Sequence, residues 1–310
     1  MKNFISIILF LFFAFANCQN PLSEKKKEIA TNKVKSGSVT VDGTKLTYKI
    51  EGKGIPCLVL ETDPAYYSEK LRDHFEMHFI NARYSAEDYT PIPPEEYTLN
   101  TLFHDIDTLR AAMGLEKFAI MGHSIHGVVA YEYAKRYPEH VSHIIMIATP
   151  NNTGSEAYDA ATLHWANASE VRKSMYEENM ANIKESIEQL TPREAFVKIG
   201  SAEGPKRWYD AGFDATAYYE RMILNFDLIE QLFGRLFANY TMFKEGEHPN
   251  ISTFLAIGKS DYVVPYTLWE GKYDTLSNLT IAYFDKSGHT PQLEESDLFD
   301  KRLLEWINEN

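Results

Sequence analysis

Residues 117–149 run KFAIMGHSIHGVVAYEYAKRYPEHVSHIIMIAT. A short apolar run, FAIMG, meets a segment, GVVAYEYAKRY, whose apolar residues recur at helical spacing until Pro138 stops it; SHIIMIAT is a second apolar run. Strand, helix, strand with a crossover of this length predicts two parallel neighbours in one sheet covered on both faces. Ser124 falls at the first strand-to-helix junction. A sharp turn there lifts a hydroxyl clear of the sheet edge and points the next backbone N–H toward a reacting carbonyl oxygen. Such a turn tolerates only small neighbours at two places. Gly122 fills the first, His126 stands at the second, and Gly127 follows one place late.

The same rhythm extends in both directions. Toward the N-terminus, VTVDGTKLTYKIEG alternates with period two around an Asp-Gly turn, which predicts a hairpin, and CLVLE and MHFINA are buried strands. Between Tyr97 and Gly114, Leu99, Leu102, Phe103, Ile106, Leu109 and Met113 trace one face of a helix. After Pro150 the pattern changes: residues 151–245 hold no apolar strand run but are rich in helix formers and aromatics. Alternation then resumes with strand STFLAIG, a helix near 266–276, strand LTIAYF and a last amphipathic helix ending LFDKRLLEWINEN. The prediction is an α/β core, 38–150 with 246–310, interrupted by a helical cap insertion over 151–245.

The 310 residues are 44% hydrophobic, enough to bury a full core, and the formal net charge of −13 argues against a nucleic-acid partner. Two cysteines, Cys18 and Cys57, supply neither a disulfide framework nor a metal-ligand set. The opening MKNFISIILFLFFAFANC has a basic start, an apolar block from Ile5 to Phe15 and small or polar residues before a cysteine, the pattern of an export signal over 1–18. Cys18 closing that block opens a lipoprotein reading, in which a lipidated cysteine tethers the chain to a membrane. Residues 19–37 then form a polar tether, and the location expected is periplasmic or extracellular.

Two further residues complete a pattern with Ser124. KSDYVVP places Asp261 in a loop after the strand STFLAIG, and KSGHTPQLEE places His289 in the loop after the final strand. The order Ser, Asp, His, each following a strand of one parallel sheet, is what a nucleophile, its tautomer-holding carboxylate and its base require. The rival acid position after IIMIAT holds Asn151 and Asn152, which cannot serve. His123 and His126 flank the serine but are badly aimed at its hydroxyl and are assigned to packing. No helical HxxxH spacing links them with His289, so neither metal nor cofactor is expected. In the cap, RWYDAGFDATAYYERM gathers Trp208, Tyr209 and Tyr218, which either line a substrate pocket or form cap core.

The chain resembles the α/β-hydrolase superfamily, in the branch similar to proline iminopeptidases and cap-bearing esterases. The resemblance runs from VDGTKLTYKIEGKGIPCLVL through GHSIHGVVAYEYAKRYPEHVSHIIMI and AIGKSDYVVP to SGHTPQLEE. It implies a mostly parallel central sheet flanked by helices, with an inserted helical cap. It also implies Ser124 as nucleophile, Asp261 as acid, His289 as base, and the N–H of Ile125 in the oxyanion hole. Where relatives carry His-Gly-Gly-Pro this chain has ETDP, so Asp63 is the second oxyanion donor, its carboxylate expected to point outward or to bind a cationic substrate group. NARYSAEDY replaces a glycine-rich loop and reshapes one pocket wall. The activity implied is hydrolysis of a carboxylic ester or small amide, on a small molecule or short peptide, through an acyl-enzyme. An aminopeptidase, a C–C bond hydrolase and a non-catalytic ligand-binding relative are the alternatives.

Overall fold

The computed structural model describes residues 35–61, 63–184, 187–242, 248–271, 273 and 276–310. The expected export signal, Cys18 and most of the tether lie outside the described residues. The hairpin of β1 (Lys35–Val41) and β2 (Thr44–Gly52) turns at Asp42 and Gly43, both at positive φ, 47° and 79°. That two-residue geometry matches the twist of the strands it joins and favours Asp-Gly. Then come β3 (Ile55–Val59), β4 (Phe75–Ile80), helix α1 (Leu99–Ala112), β5 (Phe118–His123), helix α2 (Ile125–Arg136) and β6 (Val141–Ile147). Thr98 starts α1 by accepting from the Thr101 N–H, and Gly114 at φ 70° stops it.

Between β6 and β7 (Ser252–Gly258) no named strand occurs among the described residues. The chain forms α3 (Ser155–Ala166), α4 (Glu170–Lys184), α5 (Pro192–Ala202), α6 (Gly204–Arg207), α7 (Thr216–Arg221) and α8 (Phe226–Gln231). β8 (Leu279–Phe284), α9 (Pro291–Glu294) and α10 (Ser296–Glu309) close the chain. Where a helix is expected near 266–276, the described residues form one 3-10 turn, Tyr266–Leu268, and Gly271 at φ 70° departs from helical geometry.

The eight strands order as β1-β2-β4-β3-β5-β6-β7-β8, antiparallel at β1/β2 and β2/β4 and parallel elsewhere. Side chains of the central strands divide with period two between the faces. Ile120, Ile144, Met146, Leu255 and Ile257 pack on one side with α1, α2 and cap residues. Ala119, Met121, Ile145, Ile147, Phe254 and Ala256 pack on the other with Phe299, Leu303 and Trp306 of α10. Burial on both faces explains why these strands are continuous apolar runs and not alternating ones. Cys57 belongs to this second core, and burial pushes its thiol pKa far up, which makes it an inert packing residue. The C-terminal ends of β5, β7 and β8 all lie at one edge, so the loops that carry residues 124, 261 and 289 are neighbours.

Candidate active site

β5 ends at His123 and α2 begins at Ile125, which leaves Ser124 alone to reverse the chain, at φ 54° and ψ −124°. A non-glycine residue held there costs on the order of 1–3 kcal/mol. The Ser124 side chain does not cap α2, and its backbone N–H is spent on the Ile147 carbonyl at 2.7 Å. The turn brings α2 back against the strand so closely that a Cβ on Gly122 would lie 2.2 Å from the His126 carbonyl oxygen. A Cβ on Gly127 would lie 1.8 Å from the Thr149 hydroxyl. The second close approach therefore falls at 127, and 126 can carry a large side chain. His126 turns away from the elbow, stacks on the Tyr84 ring with centroids 5.5 Å apart, and hydrogen-bonds the Tyr84 hydroxyl.

Asp261 and His289 meet across the ends of β7 and β8. Asp261 Oδ1 accepts from the backbone N–H groups of Val263 and Val264, both at 2.8 Å, which fixes the carboxylate. Its Oδ2 takes the Nδ1–H of His289 at 2.7 Å. That bond selects the tautomer whose Nε2 carries the lone pair. Nε2 is buried and has no hydrogen-bond partner among the described residues. The His289 backbone is pinned as well. Its N–H donates to the Arg207 carbonyl of the cap at 2.6 Å, and its carbonyl accepts from His123 Nε2 at 2.7 Å. The His123 ring sets its edge on the His289 ring, centroids 4.8 Å apart, so Ser124 follows directly the residue that touches the histidine. Burial, then the nearby His289, hold the His123 pKa well below the ordinary value, and it donates as a neutral ring.

Ile125 is the first residue of α2, so its N–H has no carbonyl within the helix to bond. The Asp63 N–H lies 3.4 Å from the Glu61 carboxylate, a long contact. The Asp63 carboxylate does find a cation, but one belonging to the protein: Oδ2 lies 3.6 Å from Arg221 of the cap, while Oδ1 caps Ala65 N–H at 2.9 Å. Beside the elbow, a cavity of about 40 Å³ is lined by Leu60, Ile80, Leu102, Val129, Met222 and Leu224, with Glu61, Tyr84 and His126 at its polar side. Of the cap aromatics, Trp208 and Tyr218 are buried in cap core and Tyr209 is half-exposed. Trp208 and Tyr209 also line a second, larger cleft, and Tyr218 packs on Trp208 and Phe213. Among the described residues no group of three His, Cys, Asp or Glu could hold a metal ion.

The Tyr84–His126 pair was not legible as a pair. The signals were two separate oddities, the histidine inside the elbow and the loss of glycines in NARYSAEDY, and nothing in the sequence joins them. Burial pushes the His126 pKa down to about 3. The sign follows from linkage: the unfolded chain takes up a proton near pH 6.5 and the folded chain does not, so this contribution is present above that pH and is lost on acidification. Urea unfolding at about pH 6.5 and about pH 4.5 is expected to show the wild type losing about 2–3 kcal/mol more than His126→Phe, which keeps the stack on Tyr84 and cannot titrate.

With this geometry in place, comparison with known proteins gives a consistent result. Residues 65–296 match the family model described as "alpha/beta hydrolase fold". The chain is 28% identical over 280 residues to the AB hydrolase superfamily protein YclE of Bacillus subtilis, covering 89% of this chain and 99% of that protein. It is 23% identical over 221 residues to the proline iminopeptidase PfmaB of Pestalotiopsis fici, covering 67% of this chain and 73% of that one. Among solved structures, the esterase RhEst1 from Rhodococcus sp. ECU1013 superposes with a TM-score of 0.64 at 16% identity, over 89% of this chain and 98% of that one.

Proposed function

We propose, from the premise that the chain belongs to the alpha/beta hydrolase fold family, that this hydrolase is a serine enzyme which cleaves carboxylic esters or small amides with short acyl groups. The observation that carries the reading is the Asp261–His289 pair, buried, tautomer-selected and with its Nε2 unpartnered beside the Ser124 turn. In this reading His289 Nε2 takes the Ser124 proton as the hydroxyl oxygen attacks the carbonyl carbon. The Ile125 N–H receives the oxyanion, together with the Asp63 N–H once it leaves Glu61. The leaving group departs with the proton from His289. Water, deprotonated by the same nitrogen, then releases the acid.

The short acyl preference is supported by the 40 Å³ cavity beside His126, which has room for little more than one or two carbon units and counts Met222 and Leu224 among its lining. A series of p-nitrophenyl esters of graded acyl length tests it. Expected is the highest kcat/KM at acetyl to butyryl and a fall of more than about tenfold by octanoyl, since a rigid pocket rejects extra methylenes at about 1–3 kcal/mol. A maximum at long chains would remove the preference. A folded protein that neither turns over any ester nor labels with a fluorophosphonate would be the non-catalytic binder.

An amide substrate is favoured as a second reading by the iminopeptidase relative. Amino-acid p-nitroanilides run beside the esters decide it. Export, with or without lipidation of Cys18, belongs to the proposal on the strength of the apolar block from Ile5 to Phe15. Cell fractionation with a Cys18→Ser variant tests both parts.

A further inference from the structure

The short helix α6 (Gly204–Arg207) and the two residues after it form a part of the cap that touches the loops of Asp261 and His289. The last carbonyls of a helix have no partner within it. Here the loops supply one: the Lys206 carbonyl accepts from Tyr262 N–H at 3.0 Å, and the Arg207 carbonyl from His289 N–H at 2.6 Å. Tyr262 directly follows Asp261, so two successive carbonyls of one cap segment hold both loops. The fit is close. A Cβ on Gly288 would lie 2.1 Å from the Arg207 carbonyl oxygen.

The segment is itself clamped. Arg172, on α4, donates to the carbonyls of Pro205 at 2.6 Å, Trp208 at 2.7 Å and Tyr209 at 2.5 Å. Its guanidinium also lies 5.3 Å from the centroid of the Tyr262 ring. Hydrogen bonds from an ionised donor are roughly twice as strong as neutral ones, so this one side chain fixes the course of the segment from 205 to 209. From the other side, Glu294 accepts from Tyr209 N–H at 2.6 Å, from Gly288 N–H at 2.9 Å and from Thr290 N–H at 3.2 Å. The N–H groups of 288, 289 and 290 are thus all held, and the segment meets the histidine loop through Arg207 directly and through Glu294.

We propose that this cap segment is a splint that keeps Asp261 and His289 in register for proton transfer, and that Arg172 and Glu294 are the positioning residues that seat it. Arg172 acts through the backbone of the segment and not on the reacting atoms. Without it the carbonyls of 205, 208 and 209 lose their donor and the segment drifts. The N–H groups of Tyr262 and His289 then lose their acceptors together. The 2.7 Å bond from His289 Nδ1 to Asp261 spans the two loops so held, and it loosens with them. Because one imidazole serves both acylation and deacylation in the mechanism above, misplacing it slows both steps.

The proposal rests on the serine-hydrolase reading for its kinetic arm, while its spectroscopic arm needs no turnover. In the wild type the Nδ1–H of His289, buried and bonded to Asp261, is expected to give a proton resonance at far lower field than the backbone amides. Arg172→Met, an unbranched side chain without donors, is expected to broaden or abolish that resonance. It should also lower kcat and kcat/KM for the preferred p-nitrophenyl ester together, by about 10–100-fold, with KM within about threefold of the wild type. A segment that only added stability would lower the melting temperature and leave the resonance and the kcat of folded enzyme unchanged. That result, or a wild type without the resonance, would overturn the assignment. If the wild type cleaves no ester the serine mechanism falls, while the resonance still decides the splint. Should Arg172→Met fail to fold, Glu294→Gln takes its place. Its amide oxygen keeps the N–H groups of Gly288 and Thr290 and its NH₂ faces Tyr209 N–H, so only the link to the cap is lost, and the same two changes are expected.

Discussion

Ser124→Ala is expected to lower kcat for the preferred p-nitrophenyl ester by on the order of 10⁶, to a residual rate within a few orders of magnitude of solvent hydrolysis. In the proposed mechanism the alanine removes the attacking atom, the Ser124 hydroxyl oxygen, and leaves the Asp261–His289 hydrogen bond in place. Since alanine keeps a Cβ at φ 54°, the turn is as strained as before, and the melting temperature should move by little. KM should rise toward the substrate dissociation constant, because the wild-type value is lowered by accumulation of the acyl-enzyme that the variant cannot form. Pre-steady-state kinetics should lose the burst of p-nitrophenol with the steady state. A variant retaining more than about a hundredth of the activity would show that another group attacks.

Asp261→Asn is expected to cost about 10⁴ in kcat with the structure preserved. The asparagine Oδ1 can go on accepting from Val263 and Val264 N–H, so the loop keeps its anchor. Its NH₂ then necessarily faces His289 Nδ1. That nitrogen becomes an acceptor, the ring proton moves to Nε2, and the lone pair needed to take the hydroxyl proton points at the wrong partner. The pH–rate profile should reveal the change as well, because hydroxide can relieve the wrong tautomer and the residual rate should rise through high pH. Asp261→Ala should be both slower and less stable, as it frees the buried N–H of Val264 and the part-buried N–H of Val263. If Asp261→Asn instead retained wild-type kcat, the carboxylate would be a loop anchor and no more.

Much of this architecture was legible because parallel strands buried on both faces are continuous apolar runs, and FAIMG, SHIIMIAT and STFLAIG are unmistakable as such. The chain order of Ser124, Asp261 and His289 followed from those strands, since each residue lies just past a strand end. The helix placed near 266–276 failed for a local reason: apolar Leu268 and Trp269 suggest a helix face, but Gly271 at positive φ outweighs them. At the elbow, sequence could identify the need for two small residues but not which carbonyl or hydroxyl each must clear. The contact with Thr149, a residue 22 positions away at the end of β6, moved the second requirement to Gly127. Cap aromatics were ambiguous for a related reason. Trp208 buries its ring in cap core and lines a cleft with the same side chain, a dual role that composition cannot separate. Arg172 gave no signal at all, because the carbonyls it gathers are brought together only by three-dimensional surroundings.

The left-handed backbone at Ser124 has a bearing on lineage. Glycine fits that conformation without penalty, so a descendant with no use for the hydroxyl could exchange the serine by a single codon change and melt at a higher temperature. Under the proposed mechanism, the stability that this posture forgoes is the cost of holding the hydroxyl at the elbow.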